Sequence, residues 1–63
     1  MKVTAREVLQ LLNATGFIET RIVGDHHRFT DGRGHHVTVA YTRLKDVIHP
    51  KTYQSICRQA GLK

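Results

Sequence analysis

The chain has 63 residues, 40% of them hydrophobic, which suits one small domain and leaves no room for a deep enclosed pocket. Ten Lys and Arg against five Asp and Glu give a net charge of +5, which favours an acidic partner such as nucleic acid, an acidic protein or an anionic membrane surface. The single cysteine excludes an internal disulfide, and neither a signal-peptide pattern nor an apolar run of roughly 18 residues is present, so we expect a cytoplasmic protein.

The first element is predicted to be a helix over residues 4–14. Thr4-Ala5-Arg6-Glu7 is a capping box, in which the Thr4 hydroxyl caps the helix and Glu7 reaches back to the Thr4 amide. Gly16 is placed to end the helix in a left-handed conformation, with Phe17 folding back onto it. The apolar stripe at helical spacing consists of Val8, Leu9, Leu11 and Leu12.

Three strands are predicted next, over residues 17–23, 26–30 and 35–41. Their aromatic and β-branched composition favours strands, although the apolar residues of the first do not alternate cleanly. Gly24-Asp25 makes the first turn. Residues 32–34 form a three-residue hairpin loop between the second and third strands.

The loop length predicts the register of this hairpin. On one face, the apolar one, Asp31 pairs with His35, Phe29 with Val37, and His27 with Val39. The opposite, polar face then carries three further pairs: His26 with Ala40, Arg28 with Thr38, and Thr30 with His36.

A polar connection over residues 42–51 leads to a second helix that begins after Pro50, with Thr52 as its expected N-cap. Gly61 is expected to close this helix, and Leu62 to pack back on it. The expected packing residues of the connection are Leu44, Val47 and Ile48, and those of the helix are Tyr53, Ile56, Cys57 and Ala60.

These elements predict an α+β fold over residues 1–63. It is a two-layer α-β-β-β-α domain in which both helices cover the apolar face of a three-stranded antiparallel sheet. The face that carries His26 stays open to solvent. His26, at a strand entrance with cations nearby, is therefore the first candidate for chemistry.

Four segments at their spacing resemble the HicA toxins of bacterial toxin–antitoxin modules, over nearly the whole chain. The segments are Gly16-Phe17, Gly24-x-His26-x-x-Phe29, Val37-Thr38-Val39 and Ile56-x-Arg58-Gln59-Ala60-Gly61-Leu62. The resemblance implies a double-stranded-RNA-binding-domain-like fold, a ribosome-independent mRNA interferase activity, and a HicB antitoxin that binds over the active site. The family's Gly-Ser-His motif, with its essential histidine, maps onto Gly24-Asp25-His26.

The chain departs from the family pattern in three places. Asp25 replaces the serine before the histidine. Ala40-Tyr41-Thr42 stands where the family has a proline and then a second histidine, and Lys51-Thr52-Tyr53 replaces Gly-Thr-Leu at the entrance of the second helix.

The implied chemistry needs no cofactor, because the 2′-hydroxyl of RNA can attack the neighbouring phosphorus once a base removes its proton. Histidine suits this task, since its ordinary pKa lies near neutrality. We therefore predict that His26 is the general acid or base and that Arg28 on the same face holds the phosphate. Asp25 either orients the imidazole or favours its protonated form. Further candidate phosphate contacts are Arg21, Arg33, Lys45, Lys51 and His36.

A metal site is not expected. His36 stands four residue positions along the sheet from His26, roughly 13 Å at strand rise, which is too far for a shared ion. Cys57 is expected to pack as a small apolar residue rather than to act as a nucleophile.

The remaining histidines and aromatic residues have structural interpretations. His27 is expected to be partly buried on the apolar face. His35, His36 and His49 are expected to be solvated, with a second proton carrier or a phosphate contact as the alternatives for His36. Phe29 and Tyr53 are expected to serve the core.

Two other functions remain open. The first is a non-catalytic RNA-binding module of the same fold, which would need cations on the open face but no titrating group. The second is a protein-interaction domain, which would show little salt-sensitive affinity for RNA.

Overall fold

The structure, a computed structural model, describes residues 2–62. The α-β-β-β-α order and the α+β class predicted from the sequence are confirmed, and two short strands are added to them. The elements in chain order are β1 (Val3–Thr4), α1 (Ala5–Ala14), β2 (Ile18–Val23), β3 (His26–Thr30), β4 (His36–Ala40), β5 (Val47–Ile48) and α2 (Pro50–Gln59). Neither helix of this described part has the length and hydropathy of a membrane-spanning segment.

Helix α1 begins and ends as its sequence predicts. The Glu7 N–H donates to the Thr4 hydroxyl at 3.3 Å, and the Thr4 N–H donates to the Glu7 carboxylate at 2.9 Å, so the capping box is formed. Gly16 follows the helix with φ +92°, and the Phe17 N–H donates to the Leu12 carbonyl at 2.9 Å. This reversal buries the Phe17 ring in the core.

Strands β2, β3 and β4 form an antiparallel sheet in that order. Five of the six predicted pairs between β3 and β4 are present, and burial alternates along both strands. The sixth, Asp31 with His35, lies beyond the strand ends and is not part of the ladder. The core therefore lies between the helices and the inner face of β3 and β4. Its buried residues are Ala5, Val8, Leu12, Phe17, Phe29, Val37, Val39, Ile48, Ile56 and Ala60.

The outer strand β2 departs from the prediction. Phe17 lies just before it, and every residue of the strand is exposed, including Ile22 at 56%. The helices thus cover only the part of the inner face formed by β3 and β4. At the other edge β4 is also one residue shorter at each end than predicted, so that His35 and Tyr41 flank it.

The connection after β4 contains structure that the sequence did not predict. Strand β5 pairs with β1, and the carbonyls of Leu44 and Asp46 accept the Arg6 and Ala5 N–H groups at the start of α1. Leu44 and Val47 are exposed, so their predicted packing role is wrong, whereas Ile48 is buried. The segment docks through its backbone because the first turn of a helix offers unpaired N–H donors.

Helix α2 begins earlier than predicted. The N-cap is His49, whose Nδ1 accepts the Lys51 N–H at 3.1 Å, and Pro50 occupies the first helical position. The predicted N-cap, Thr52, lies inside the helix. Proline at the first position has no N–H to satisfy and a φ suited to the helix, so the residue before it becomes the cap. His49 is exposed, as expected, but its ring nitrogen serves this cap rather than solvent alone.

The loop between β3 and β4 is organised by Asp31. Its carboxylate accepts the Arg33 N–H at 2.8 Å and the His35 N–H at 3.2 Å, and it contacts the His35 Nδ1 at 2.6 Å. Burial of the carboxylate opposes its ionisation, but these hydrogen bonds outweigh the burial and lower the pKa of Asp31 from 3.8 to about 2. His35, predicted to be solvated, is instead a partner of this carboxylate.

We expect this carboxylate to make stability depend on pH. Because its pKa is lowered in the folded state, its contribution is complete above about pH 4 and disappears as the pH falls through about 2. Asp31→Asn should therefore unfold at lower urea than the parent at pH 7 and lose less stability between pH 4 and pH 2. Arg33→Gln is the control and should behave like the parent, since the Arg33 guanidinium is 78% exposed and its contact with Asp31 is long, at 3.7 Å. Equally steep losses for Asp31→Asn and the parent would contradict the expectation.

A second prediction concerns the glycine after α2. Gly61 has φ +73°, and a Cβ there would lie 2.8 Å from Nε2 of the His35 ring. Gly32 has φ +76° but open space around it, so Gly32→Ala should cost only the left-handed strain of about 1–2 kcal/mol. Gly61→Ala must also displace the His35 ring and should have the larger loss in the free energy of unfolding, measured by urea titration. Equal losses would show that this ring moves aside freely.

Candidate active site on the open sheet face

His26 is the first residue of β3 and follows the turn at Gly24 and Asp25. Its side chain is 63% exposed on the face away from the helices, as the predicted register requires. It pairs with Ala40 of β4 on one side and with Val23 of β2 on the other. The imidazole is therefore accessible to a large substrate from the uncovered side of the sheet.

Asp25 contacts the candidate imidazole directly. Its Oδ1 lies 2.9 Å from Nδ1 of His26. A hydrogen bond at Nδ1 fixes the orientation of a histidine ring and favours the tautomer that carries its proton there. The Nε2 atom of His26 is then the one that can exchange a proton with a ligand.

The start of β3 is also held by contacts on the opposite, inner face of the sheet. The Asp25 carbonyl accepts the Tyr41 N–H at 2.9 Å. The Tyr41 ring stacks on His27 with centroids 3.8 Å apart, and Nδ1 of His27 contacts Glu19 Oε2 at 2.9 Å. Burial, together with the Glu19 charge, raises the pKa of Tyr41. The His27 side chain is 13% exposed, so the geometry matches the structural role expected for it.

A shallow depression of about 360 Å³ lies further along the same strand. It collects three of the predicted phosphate contacts, Arg21, Arg28 and His36. Thr20 and Phe29 complete its lining. The sequence did not indicate Thr20 as a site residue. Its only signal was the broken alternation of apolar residues in the first strand, which indicated an irregularity there.

The other predicted contacts lie elsewhere. Lys45 is exposed in the connection after β4, and Lys51 is exposed in the first turn of α2. Arg33 is in the hairpin loop beside Asp31. None of these three cations lines the depression around Arg28.

The site has no evident place for a metal ion. Within residues 2–62, no three His, Cys, Asp or Glu side chains are grouped so that they could hold one. Cys57 is half-buried in α2, where its contact with Tyr53 raises the pKa of that phenol. The geometry of Cys57 matches the packing role expected from the sequence.

Fold and site together define a small basic α+β protein whose uncovered sheet face presents a carboxylate-bound histidine beside two arginines. The sequence model of the family described as "HicA toxin of bacterial toxin-antitoxin" matches residues 5–62. The chain therefore belongs to the HicA toxin family and is the toxin component of a toxin–antitoxin pair, which confirms the resemblance found in the sequence. No curated protein matches the chain.

Proposed function

We propose that this toxin is a metal-independent endoribonuclease that cleaves mRNA, with His26 as general acid or base. The observation that carries the proposal is the exposed His26 imidazole, held at Nδ1 by Asp25 on the open face. A histidine that served only packing would be covered, as His27 is.

In the proposed reaction the 2′-oxygen of a ribose attacks the adjacent phosphorus and the 5′-oxygen of the next nucleotide leaves. His26 takes the proton from the 2′-hydroxyl or supplies one to the departing oxygen through Nε2. The Asp25 carboxylate keeps the His26 ring in place while the ring gains or loses its proton. No cofactor is required, because the nucleophile belongs to the substrate.

Arg28 is proposed to hold the phosphate that is cleaved. It lies two residues after His26 on the same face of β3, about 7 Å along the strand, and its long side chain can span part of this distance. A guanidinium donates two parallel hydrogen bonds to phosphate oxygens and stabilises the negative charge that develops there.

The proposed partner is a HicB-type antitoxin in the cytoplasm. Membership of the family implies a cognate antitoxin, and the uncovered cationic face offers a surface for an acidic segment. An antitoxin bound there would cover His26. Co-expression with the product of an adjacent antitoxin-like reading frame should restore growth to cells that produce the toxin.

The alternative is a non-catalytic RNA-binding module. The cations of the open face favour this function as much as cleavage, because both require affinity for phosphate. Only His26 with its Asp25 contact favours cleavage specifically. A parent protein that binds RNA but leaves it intact would establish the alternative.

We expect His26→Ala to lower the rate of RNA cleavage by about 10²- to 10⁴-fold, the usual contribution of a general acid or base. The measurement is single-turnover cleavage of a single-stranded RNA in the presence of a chelator, with circular dichroism as a check on folding. Arg6→Gln, an exposed change on α1 in the helical layer, should cleave at the parent rate.

The same variants can be compared in cells. Induced expression of the parent should arrest growth and degrade transcripts, whereas His26→Ala should do neither. Parent-level cleavage by a folded His26→Ala protein would remove the basis of the proposed mechanism.

A further inference from the structure

We infer that the open face binds an unpaired strand of RNA along β3, with a second, non-scissile phosphate held in the depression beside Arg21. The inference rests on the proposed function, because the phosphate at His26 is taken to be the one that is cleaved. It adds a binding subsite and the class of RNA that fits it.

The first step is the bulge in β2. The register shifts between Glu19 and Arg21, so that Glu19 pairs with Phe29 while Arg21 pairs with Arg28. With regular alternation Arg21 would point to the same face as Glu19, towards the helices. The extra residue, Thr20, turns Arg21 to the open face, as bulges commonly do beside functional sites.

The second step is the charge of the pair that results. Arg21 and Arg28 are direct cross-strand neighbours, with Cβ atoms about 5 Å apart, a placement that destabilises a sheet when both residues carry the same charge. Within residues 2–62 neither guanidinium has a carboxylate within 4.0 Å, although Arg33 has Asp31. A second phosphate held by Arg21 would remove this repulsion and leave the Arg28 guanidinium to the phosphate that is cleaved.

The third step is the position of the depression. His36 pairs with Thr30, so the lining extends from two to four residues beyond His26, about 7–13 Å along β3. One phosphate cannot contact both the His26 imidazole and the far side of this lining. A strand that occupies both places must therefore present two phosphates.

The fourth step identifies the strand as unpaired. Two exposed apolar residues share the open face: Val23 pairs with His26 and is 55% exposed, and Ile18 pairs with Thr30 and is 64% exposed. Bases of an unpaired strand can be splayed out of the stack. Their faces can then cover such aliphatic side chains and remove apolar surface from water. An A-form duplex presents phosphates and 2′-hydroxyls but keeps its base faces stacked, so it would leave both residues in water.

The binding test uses a single-stranded RNA with 2′-O-methyl groups throughout, which cannot be cleaved by attack of the 2′-oxygen. Its dissociation constant is measured by fluorescence anisotropy over a range of salt concentrations. Arg21→Gln should weaken binding about tenfold and reduce the slope of log K against log salt by about 0.7, the value for one phosphate of a single strand. A duplex of the same length should bind the parent more weakly than the single strand does.

The matched control is Arg6→Gln, which removes the same charge from the helical layer and should keep the parent slope. Equal slopes and affinities for Arg21→Gln and Arg6→Gln would overturn the inference and assign Arg21 to another ligand, such as the antitoxin. Equal or tighter binding of the duplex would overturn the inference that the bound RNA is an unpaired strand.

Neutral linkages can locate the second phosphate. Once the cleavage position is mapped on unmodified RNA, one methylphosphonate is placed at each linkage in turn around it. One linkage other than the scissile one should weaken binding to the parent yet have no effect on Arg21→Gln. If the only such linkage is the scissile one, a separate subsite is excluded.

These outcomes are independent of the cleavage mechanism. His26→Ala should bind the 2′-O-methyl strand with the parent slope, because His26 acts on the proton and not on the second phosphate. If His26→Ala still cleaves RNA, the proposed function fails while the slope of Arg21→Gln continues to test the subsite. If Arg21→Gln keeps the parent slope while His26→Ala loses cleavage, the subsite fails and the proposed function stands.

Discussion

Alternation of side chains along β3 is the constraint on which the rest of the molecule depends. Phe29 enters the core between the helices and the sheet, and burial of such a ring contributes about 1.5–3 kcal/mol. Its neighbours in the strand, Arg28 and Thr30, must then point the other way. The same parity places His26 on the open face. A slip of one residue would bury a guanidinium and expose the ring, so packing of the core also fixes the candidate site.

The histidines show how environment, rather than residue type, decides a role. His27 is held between Tyr41 and Glu19, and His35 is bound to the Asp31 carboxylate in the hairpin loop. His49 caps a helix. Each of these rings has a nitrogen committed to a contact that supports the fold. His26 also contacts a carboxylate, but its side chain is 63% exposed, against 13% for His27 and 45% for His35, and cations share its face.

Much of the fold follows from local rules that the sequence displays. The capping box of α1 and the three-residue loop of the β3–β4 hairpin were predicted because turn and cap chemistry depends on residues close in sequence. The start of α2 was misplaced because Pro50 competed with Thr52 as a signal, and the ring of His49 is an uncommon cap. The β1–β5 pair was missed because it joins two-residue segments that are far apart in sequence and carry no periodic pattern.

The sequence by itself determined the family, the hairpin register and the face that carries His26, since each depends on spacing along the chain. The tertiary structure alone decided that Asp25 contacts His26 and that Arg21 shares a face with Arg28. Adjacent residues in a strand normally point apart, and a bulge reverses the parity of all that precedes it. The pairing of β2 with β3 sets the position of the extra residue in β2. The broken alternation in the sequence therefore indicated an irregularity, but it did not show which side chains the bulge brings together.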